Sequence, residues 1–222
     1  MPDWFWYVVS PLVIGGYFYF QWTQKRKTKN RYEKLAKKRG WQYDASDSSL
    51  ARKYRGEPFD WGRWDKAQHV FRGPWRKRQI EVFEYSAAIK ENDRAGDEVT
   101  RRRQFQVVSL KIPGDFPEVH VEQRGVVGKI SQKLGGGGLQ TGDERFDAKY
   151  AVTTSHPEFA SAILTDDMRS WLLSTNQLEN NPIRLVGDAI LTWRPGPLEL
   201  GDIEPRLQLL STFLDHAAPG GR

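Results

Sequence analysis

Two runs decide the fold: Gln79–Ile89, QIEVFEYSAAI, and Gln104–Ile112, QFQVVSLKI. Both alternate apolar residues at a period of two, which places every second side chain on one face of a strand. In the first, Ile80 and Val82 give way to Phe83, Tyr85, Ala87 and Ile89, a change of phase that reads as a bulge. In the second, Val108, Leu110 and Ile112 share a face. Gln68–Arg72 forms a partner strand around a turn at Gly73-Pro74, and the charged stretch Lys90–Arg103 reads as a mobile hairpin tip.

Working outward, Val119 and Val121 form a short strand with His120 on its other face. Phe146, Ala148, Tyr150 and Val152 alternate as a further strand, and Val126–Glu144, with Gly135–Gly138, is a linker without apolar periodicity. Helices dominate the last third. Ser155-His156-Pro157-Glu158 matches a capping box, and Thr165-Asp166-Asp167 starts a helix with Met168, Trp171 and Leu172 on its apolar face. Ile183–Trp193 returns as a strand with a turn or bulge near Gly187-Asp188, and Asp202–His216 closes as an amphipathic helix burying Ile203, Leu207, Leu210, Phe213 and Leu214. The expected class is α+β, a largely antiparallel sheet with helices packed on one face.

The N-terminus adds an expected anchor. Trp4–Gln24 is uncharged over 21 residues, and as a helix it covers about 30 Å, the thickness of a bilayer's hydrocarbon core. Nine aromatic residues cluster at its two ends, as interfacial belts do. A cleavable signal peptide would need a basic start and a small-residue cleavage site; here Asp3 leads, and Phe20 and Trp22 stand where small residues belong. Nine basic residues follow within Lys25–Arg39, so the positive-inside rule places the N-terminus outside and the rest in the cytoplasm of a single-pass cell-membrane protein. Thr28–Arg39 reads as a helix stopped by Gly40, a basic stalk. The expected layout is a transmembrane helix over 1–24, a polybasic juxtamembrane helix over 25–40, a cytoplasmic domain over 41–217 and a disordered tail over 218–222.

Charge follows the same partition. The net +6 consists of +8 within Lys25–Arg39 and −1 on either side of it. A basic chain ordinarily suggests nucleic acid, but this excess sits beside the expected membrane, where each cation near anionic lipid contributes about 1 kcal/mol. No nucleic-acid partner is expected. The absence of cysteine excludes thiol catalysis and Cys-ligated metal, and suits a reducing compartment.

No motif fixes a chemistry. His69, His120, His156 and His216 show no metal-ligand spacing among themselves, and none has an implied acid–base partner; His69 and His120 read as surface or half-buried strand residues. The glycine run lacks the lysine of a phosphate-binding loop, Asp166-Asp167 offsets a helix dipole, and no nucleophile elbow occurs. Catalytic residues, cofactor and metal are therefore expected to be none. One cluster stands out, Gly73-Pro74-Trp75-Arg76-Lys77-Arg78 at a hairpin turn. An amphipathic ring among cations suits a headgroup boundary; the alternative folds Trp75 back onto the sheet and leaves the cations in water. Lys25, Arg26, Lys27, Lys29, Trp75, Arg76, Lys77 and Arg78 are the expected lipid contacts.

The run Gly56-Glu57-Pro58-Phe59-Asp60-Trp61-Gly62, with Gly73, Phe83-Glu84-Tyr85, Asp167-Met168, Leu172 and Gly187-Asp188, resembles a family of actinobacterial single-span membrane proteins with a cytoplasmic domain of this length. The resemblance spans most of residues 35–215, rests on short structural motifs, and implies no activity, cofactor or catalytic residue. The chain is thus expected to be a membrane-anchored cytoplasmic module, non-enzymatic, that binds a protein partner or anionic lipid at the inner leaflet. The alternative is an enzyme or small-ligand binder acting on a membrane-proximal substrate from a cleft between sheet and helices.

Overall fold

The computed structural model describes residues 23, 26–54, 56–59, 63–92, 96–124 and 138–217. A helix over 26–39 (α1) leads into β1 (Gln42–Ser46), a 3-10 turn (Leu50–Arg52), β2 (Arg63–Trp75), β3 (Arg78–Asn92) and β4 (Glu98–Gln123). Then come α2 (Glu144–Lys149), β5 (Tyr150–Thr154), α3 (Pro157–Ile163), α4 (Asp166–Ser174), β6 (Ile183–Pro195) and α5 (Ile203–Ala217). All strand pairs are antiparallel.

The expected fold class is corrected at its N-terminal end: among the described residues no helix is long and apolar enough to cross a membrane. The expected span lies outside the described residues, apart from Thr23. The helix after it is no free stalk either. Tyr32 and Ala36 are buried in the core cluster of one sheet face, and the Tyr32 hydroxyl donates to the Leu198 carbonyl at 2.9 Å. What stands is an α+β unit of antiparallel sheet and helices. The expected tail, 218–222, lies outside the described residues.

The sheet runs β1-β2-β3-β4-β5, with β6 paired to β4. β6 follows β4 along both of its halves, from Phe105–Lys111 to Phe116–Val121. β3 therefore shares the opposite edge with β5, taking Glu98–Leu110, while β5 takes Val119–Gln123. Helices cover one face, with Ala36, Phe146, Met168, Leu172, Leu207 and Phe213 packed on Val108, Leu110, Val119 and Val121. The other face is closed by the segment after β1, whose Leu50, Ala51, Tyr54 and Phe59 pack on Phe83, Tyr85, Val107 and Leu191.

That double cover explains several departures from the sequence reading. Ile80–Ala87 is buried without interruption, and β3 pairs with β4 in one unbroken register. The bulge lies in β2, where the register shifts between Gln68 and Phe71 and His69 adopts φ 52. The β2–β3 turn falls on Arg76-Lys77, past Gly73-Pro74, and Arg76 takes φ 53 there. The expected tip at Lys90–Arg103 is strand through Asn92 and again from Glu98, and β4 joins two expected strands into one. Phe146 and Ala148 lie in α2, started by the Asp143 side chain, which accepts from the Arg145 and Phe146 N–H groups. The Ser155 capping box does not form; His156 occupies the cap position without a side-chain bond, while Thr165 does cap α4 through Met168 N–H.

Ion pairs fasten the cover to the sheet. Arg72 on β2 reaches Asp44 at 3.0 Å, as well as Asp47 and Glu81, and Lys53 pairs with the same Glu81. Hydrogen bonds from Ser49 and Arg72 hold the Asp47 carboxyl well below the usual range. A depressed folded-state pKa gives stability that is present above the unfolded value, near 4, and is lost as pH falls. Asp47→Asn should therefore lower the melting temperature at pH 7, with the gap to wild type closing as unfolding is followed below pH 4.

Candidate functional site

Two places concentrate polar chemistry: a basic surface on the helix-covered side, and a buried cluster on the other side.

On α1, Arg26, Lys27, Lys29, Arg31, Lys34, Lys37, Lys38 and Arg39 are exposed, while Tyr32 and Ala36 face inward at helical spacing. Lys29 pairs with Glu33 at 3.5 Å and Arg39 with Glu204 at 2.7 Å. Lys27, Arg31, Lys34, Lys37 and Lys38 make no ion pair with any described residue. Lys25 lies outside the described residues.

The Trp75 turn lies against the far end of the same helix. Glu204, in the first turn of α5, accepts from Arg39 with one oxygen and from the Trp75 indole N–H at 2.9 Å with the other. The Trp41 indole N–H donates to the Pro74 carbonyl at 2.9 Å, with its ring so close to Gly73 that a Cβ there would stand 2.6 Å from Trp41 Cδ1. The expected lipid contact by the Trp75 ring is corrected by this burial: Trp75 is 6% exposed and belongs to the core. Arg76 stacks over the ring at 4.4 Å from its centroid and donates to Gln208. Arg76 and Lys77 are exposed and Arg78 partly so. An open groove of about 760 Å³ runs between this turn, Lys111 and the Ser211–Asp215 side of α5. Of the expected contacts, Arg26, Lys27 and Lys29 are exposed on α1, and Arg76, Lys77 and Arg78 lie on the turn that Glu204 ties to the C-terminal end of that helix.

The buried cluster brings four residues together from three elements. His120 and Glu122 alternate onto the cover side of β4, Arg184 sits beside His120 on β6, and Glu57 descends from the cover segment. Exposures are 5% for Glu57, 7% for His120, 4% for Glu122 and 2% for Arg184. The ligand atoms of Glu57, His120 and Glu122 lie within 4.8 Å of one another, and His120 Nε2 is 4.0 Å from Glu122 Oε2. Among the described residues, both Glu57 carboxylate oxygens and His120 Nε2 have no hydrogen-bond partner. The Trp193 ring walls the imidazole at a centroid distance of 5.2 Å.

Arg184 organises this cluster. Its Nε donates to Glu118 at 2.8 Å and its Nη1 to the Glu57 carbonyl at 3.0 Å, so it grips the cover segment by its backbone. Gly56 has φ +75, and a Cβ on it would stand 2.8 Å from Arg184 Nη2. Burial raises the Glu57 carboxyl to about 7, the negative charge of Glu122 adding to the shift and Arg184 opposing it. Burial and then the Arg184 charge push the His120 imidazole down to about 3, so its ring is neutral at ordinary pH.

The sequence reading placed His120 as a surface or half-buried residue without a partner; the cover segment buries it. A signal was present in His120-Val121-Glu122, since residues two apart on a strand share a face. What no spacing could supply was Glu57, 63 positions before His120, or Arg184 on β6. The other histidines are committed elsewhere: His69 Nδ1 to the Tyr43 hydroxyl at 2.8 Å, His156 Nδ1 to the Ser155 hydroxyl at 2.9 Å, and His216 Nδ1 to Asp167 at 2.7 Å.

No protein-family model matches the sequence, and no curated protein matches it. Among solved structures, the mycobacterial trehalose monomycolate transport factor A, TtfA, shares the fold with a TM-score of 0.61. The identity is 16%, and the similarity covers 87% of this chain and 97% of that one. That neighbour is actinobacterial, in keeping with the resemblance read from the motifs.

Gly56 tests whether the guanidinium is fixed. Gly56→Ala places a side chain in the left-handed region and against an Arg184 held by two hydrogen bonds, and should cost about 1–3 kcal/mol in urea unfolding. Wild-type stability in that variant would mean that Arg184 yields freely.

Proposed function

We propose that this chain is a non-enzymatic accessory module working at an anionic membrane surface, the inner leaflet, where it holds a protein partner. The observation that carries the reading is the basic outer face of α1: five of its exposed cations make no ion pair with any described residue, and the helix is locked to the domain by Tyr32, Ala36 and the Arg39–Glu204 pair. A cation layer on a rigid element meets lipid phosphates as a plane. Each Lys or Arg near such a surface contributes about 1 kcal/mol before screening. The rest of the chain carries almost no net charge, which favours a local headgroup contact over wrapping by nucleic acid.

The turn cations extend that plane. Lys77 and Arg78 make no ion pair with any described residue, and Glu204 ties their turn to the end of α1. The domain then sits on the cytoplasmic side, with the cover segment on the sheet's other face directed away from lipid and turned to a partner. The fold shared with a trehalose monomycolate transport factor gives the reading a direction. We take this chain to be an accessory factor in the transport of a glycolipid-type cargo, one of a set of actinobacterial membrane-associated proteins.

The absence of native cysteine permits a direct test on the full-length chain. Environment-sensitive dyes are attached to single introduced cysteines, Lys34→Cys or Lys77→Cys on the basic surface and Arg52→Cys on the opposite cover. With a headgroup quencher, the first two should be quenched in phosphatidylglycerol-rich vesicles, weakly in phosphatidylcholine vesicles, and less as salt rises from 0.1 to 0.5 M; Arg52→Cys should stay bright. Equal quenching in both lipids, or at all three positions, would sink the reading.

A further inference from the structure

We infer that Glu57, His120 and Glu122 form a binding site for one divalent transition-metal ion, which staples the cover segment to β4. The geometry is that of a three-residue chelate. Three ligating side chains from two separate stretches of chain converge, all at least nine-tenths buried, with ligand atoms inside a 4.8 Å span. Metal–ligand bonds of about 2.1 Å set the neighbouring ligand atoms of a tetrahedral set about 3.4 Å apart. The His120 Nε2 to Glu122 Oε2 separation of 4.0 Å closes to that value by a small side-chain movement.

The second observation is the state of those atoms. Both oxygens of Glu57 and Nε2 of His120 find no hydrogen-bond partner among the described residues. Buried polar atoms are almost always satisfied, and unmet atoms on two residues whose ligand atoms lie within 4.8 Å of each other call for a shared positive partner. Arg184 does not fill that role, since it spends Nε on Glu118 and Nη1 on the Glu57 carbonyl rather than on the Glu57 carboxylate.

The donor set narrows the ion. One imidazole nitrogen beside carboxylate oxygens, without thiolate, suits Mn²⁺, Fe²⁺, Co²⁺ or Zn²⁺; Ca²⁺ and Mg²⁺ prefer all-oxygen shells, and Cu⁺ prefers sulfur. Arg184 acts as a positioning residue, holding the Glu57 backbone while its carboxylate turns to the ion. The competing occupant is a proton on Glu57, directed at Glu122.

The test uses the full-length chain, stripped with EDTA and exchanged into chelator-free buffer. Zn²⁺ should bind with a stoichiometry of one by calorimetry and raise the melting temperature by about 5 °C or more at saturation, an effect reversed by EDTA. Mn²⁺ should show nitrogen modulation in pulsed EPR that disappears in His120→Gln. Glu57→Gln, which keeps shape and volume, should lose at least tenfold in affinity and the thermal shift. A folded wild-type chain that binds no Zn²⁺ at millimolar concentration overturns the inference in favour of the proton. Stoichiometric binding that persists in both variants overturns it in favour of another set, such as His216 with Asp167. If His120→Gln fails to fold, the Glu57→Gln affinity and the wild-type nitrogen signal still decide.

Discussion

The structure depends on the double burial of β4. This strand is 26 residues long, is hydrogen-bonded on both edges for much of its length, and has Phe105–Leu110 buried on both faces. A strand so enclosed must feed two apolar layers at once, and side-chain parity decides which residue goes where. Val108, Leu110 and Ile112 face the helices, and so do Val119 and Val121, although seven positions separate Ile112 from Val119. The register shifts between Lys111 and Val119, with Gly114 at φ 122, reset the parity. β6 resets opposite, around Gly187 at φ 58, so that Ile183 and Leu185 rejoin the layer that Ile190 faces. Without that paired irregularity His120, Glu122 and Arg184 would point into the helix-side core, away from Glu57.

Placing them on the cover side creates a second problem, which the cover solves only in part. A guanidinium 2% exposed loses several kcal/mol of hydration unless its donors are met. Arg184 meets this with Glu118, whose side chain is 45% exposed, and with a backbone carbonyl of the cover. The same contact fixes where Gly56 and Glu57 run, so the position of the lid over this end of the sheet is set by one buried charge. Elsewhere the lid is held by ordinary means: Tyr54 and Phe59 stack among Phe83 and Tyr85, and the Tyr85 hydroxyl donates to the Phe59 carbonyl. The polar cluster is where apolar packing stops.

How much of this was legible depended on range. Features set by neighbours in sequence read well: the Gly40 stop after α1, the Thr165 cap, the irregularity at Gly187-Asp188, and the apolar stripe of α5. Features set by what lies above a strand did not. Ile80–Ala87 looks like two phases only to a reader who assumes one buried face. Phe146, Ala148, Tyr150 and Val152 alternate as a strand would, yet Asp143 caps a short helix there, and Phe146 and Tyr150, four apart, pack as tilted rings with centroids 5.2 Å apart. The expectation for Trp75 failed for the same reason: its sequence neighbours are cations, while its partner, Glu204, lies 129 positions away.

The two polar regions lie on opposite sides of one sheet, and that separation constrains how they work together. Face-to-face layers pack about 10 Å apart, so α1's cations and the Glu57–His120–Glu122 cluster are divided by the sheet and half a layer on each side. At physiological salt the Debye length is about 8 Å, so the exposed cations on one side contribute little direct field at the other. Coupling between them would have to be mechanical. The route available is β2, whose C-terminal end carries the Trp75 turn, the Trp41 contact and, three residues before Trp75, the Arg72 ion pairs that hold Asp44, Asp47 and Glu81. Those pairs anchor the start of the cover, and Arg184 anchors its end. A surface that docks through α1 and the turn therefore loads the same strand that seats the lid, while leaving the lid itself free to face a second protein.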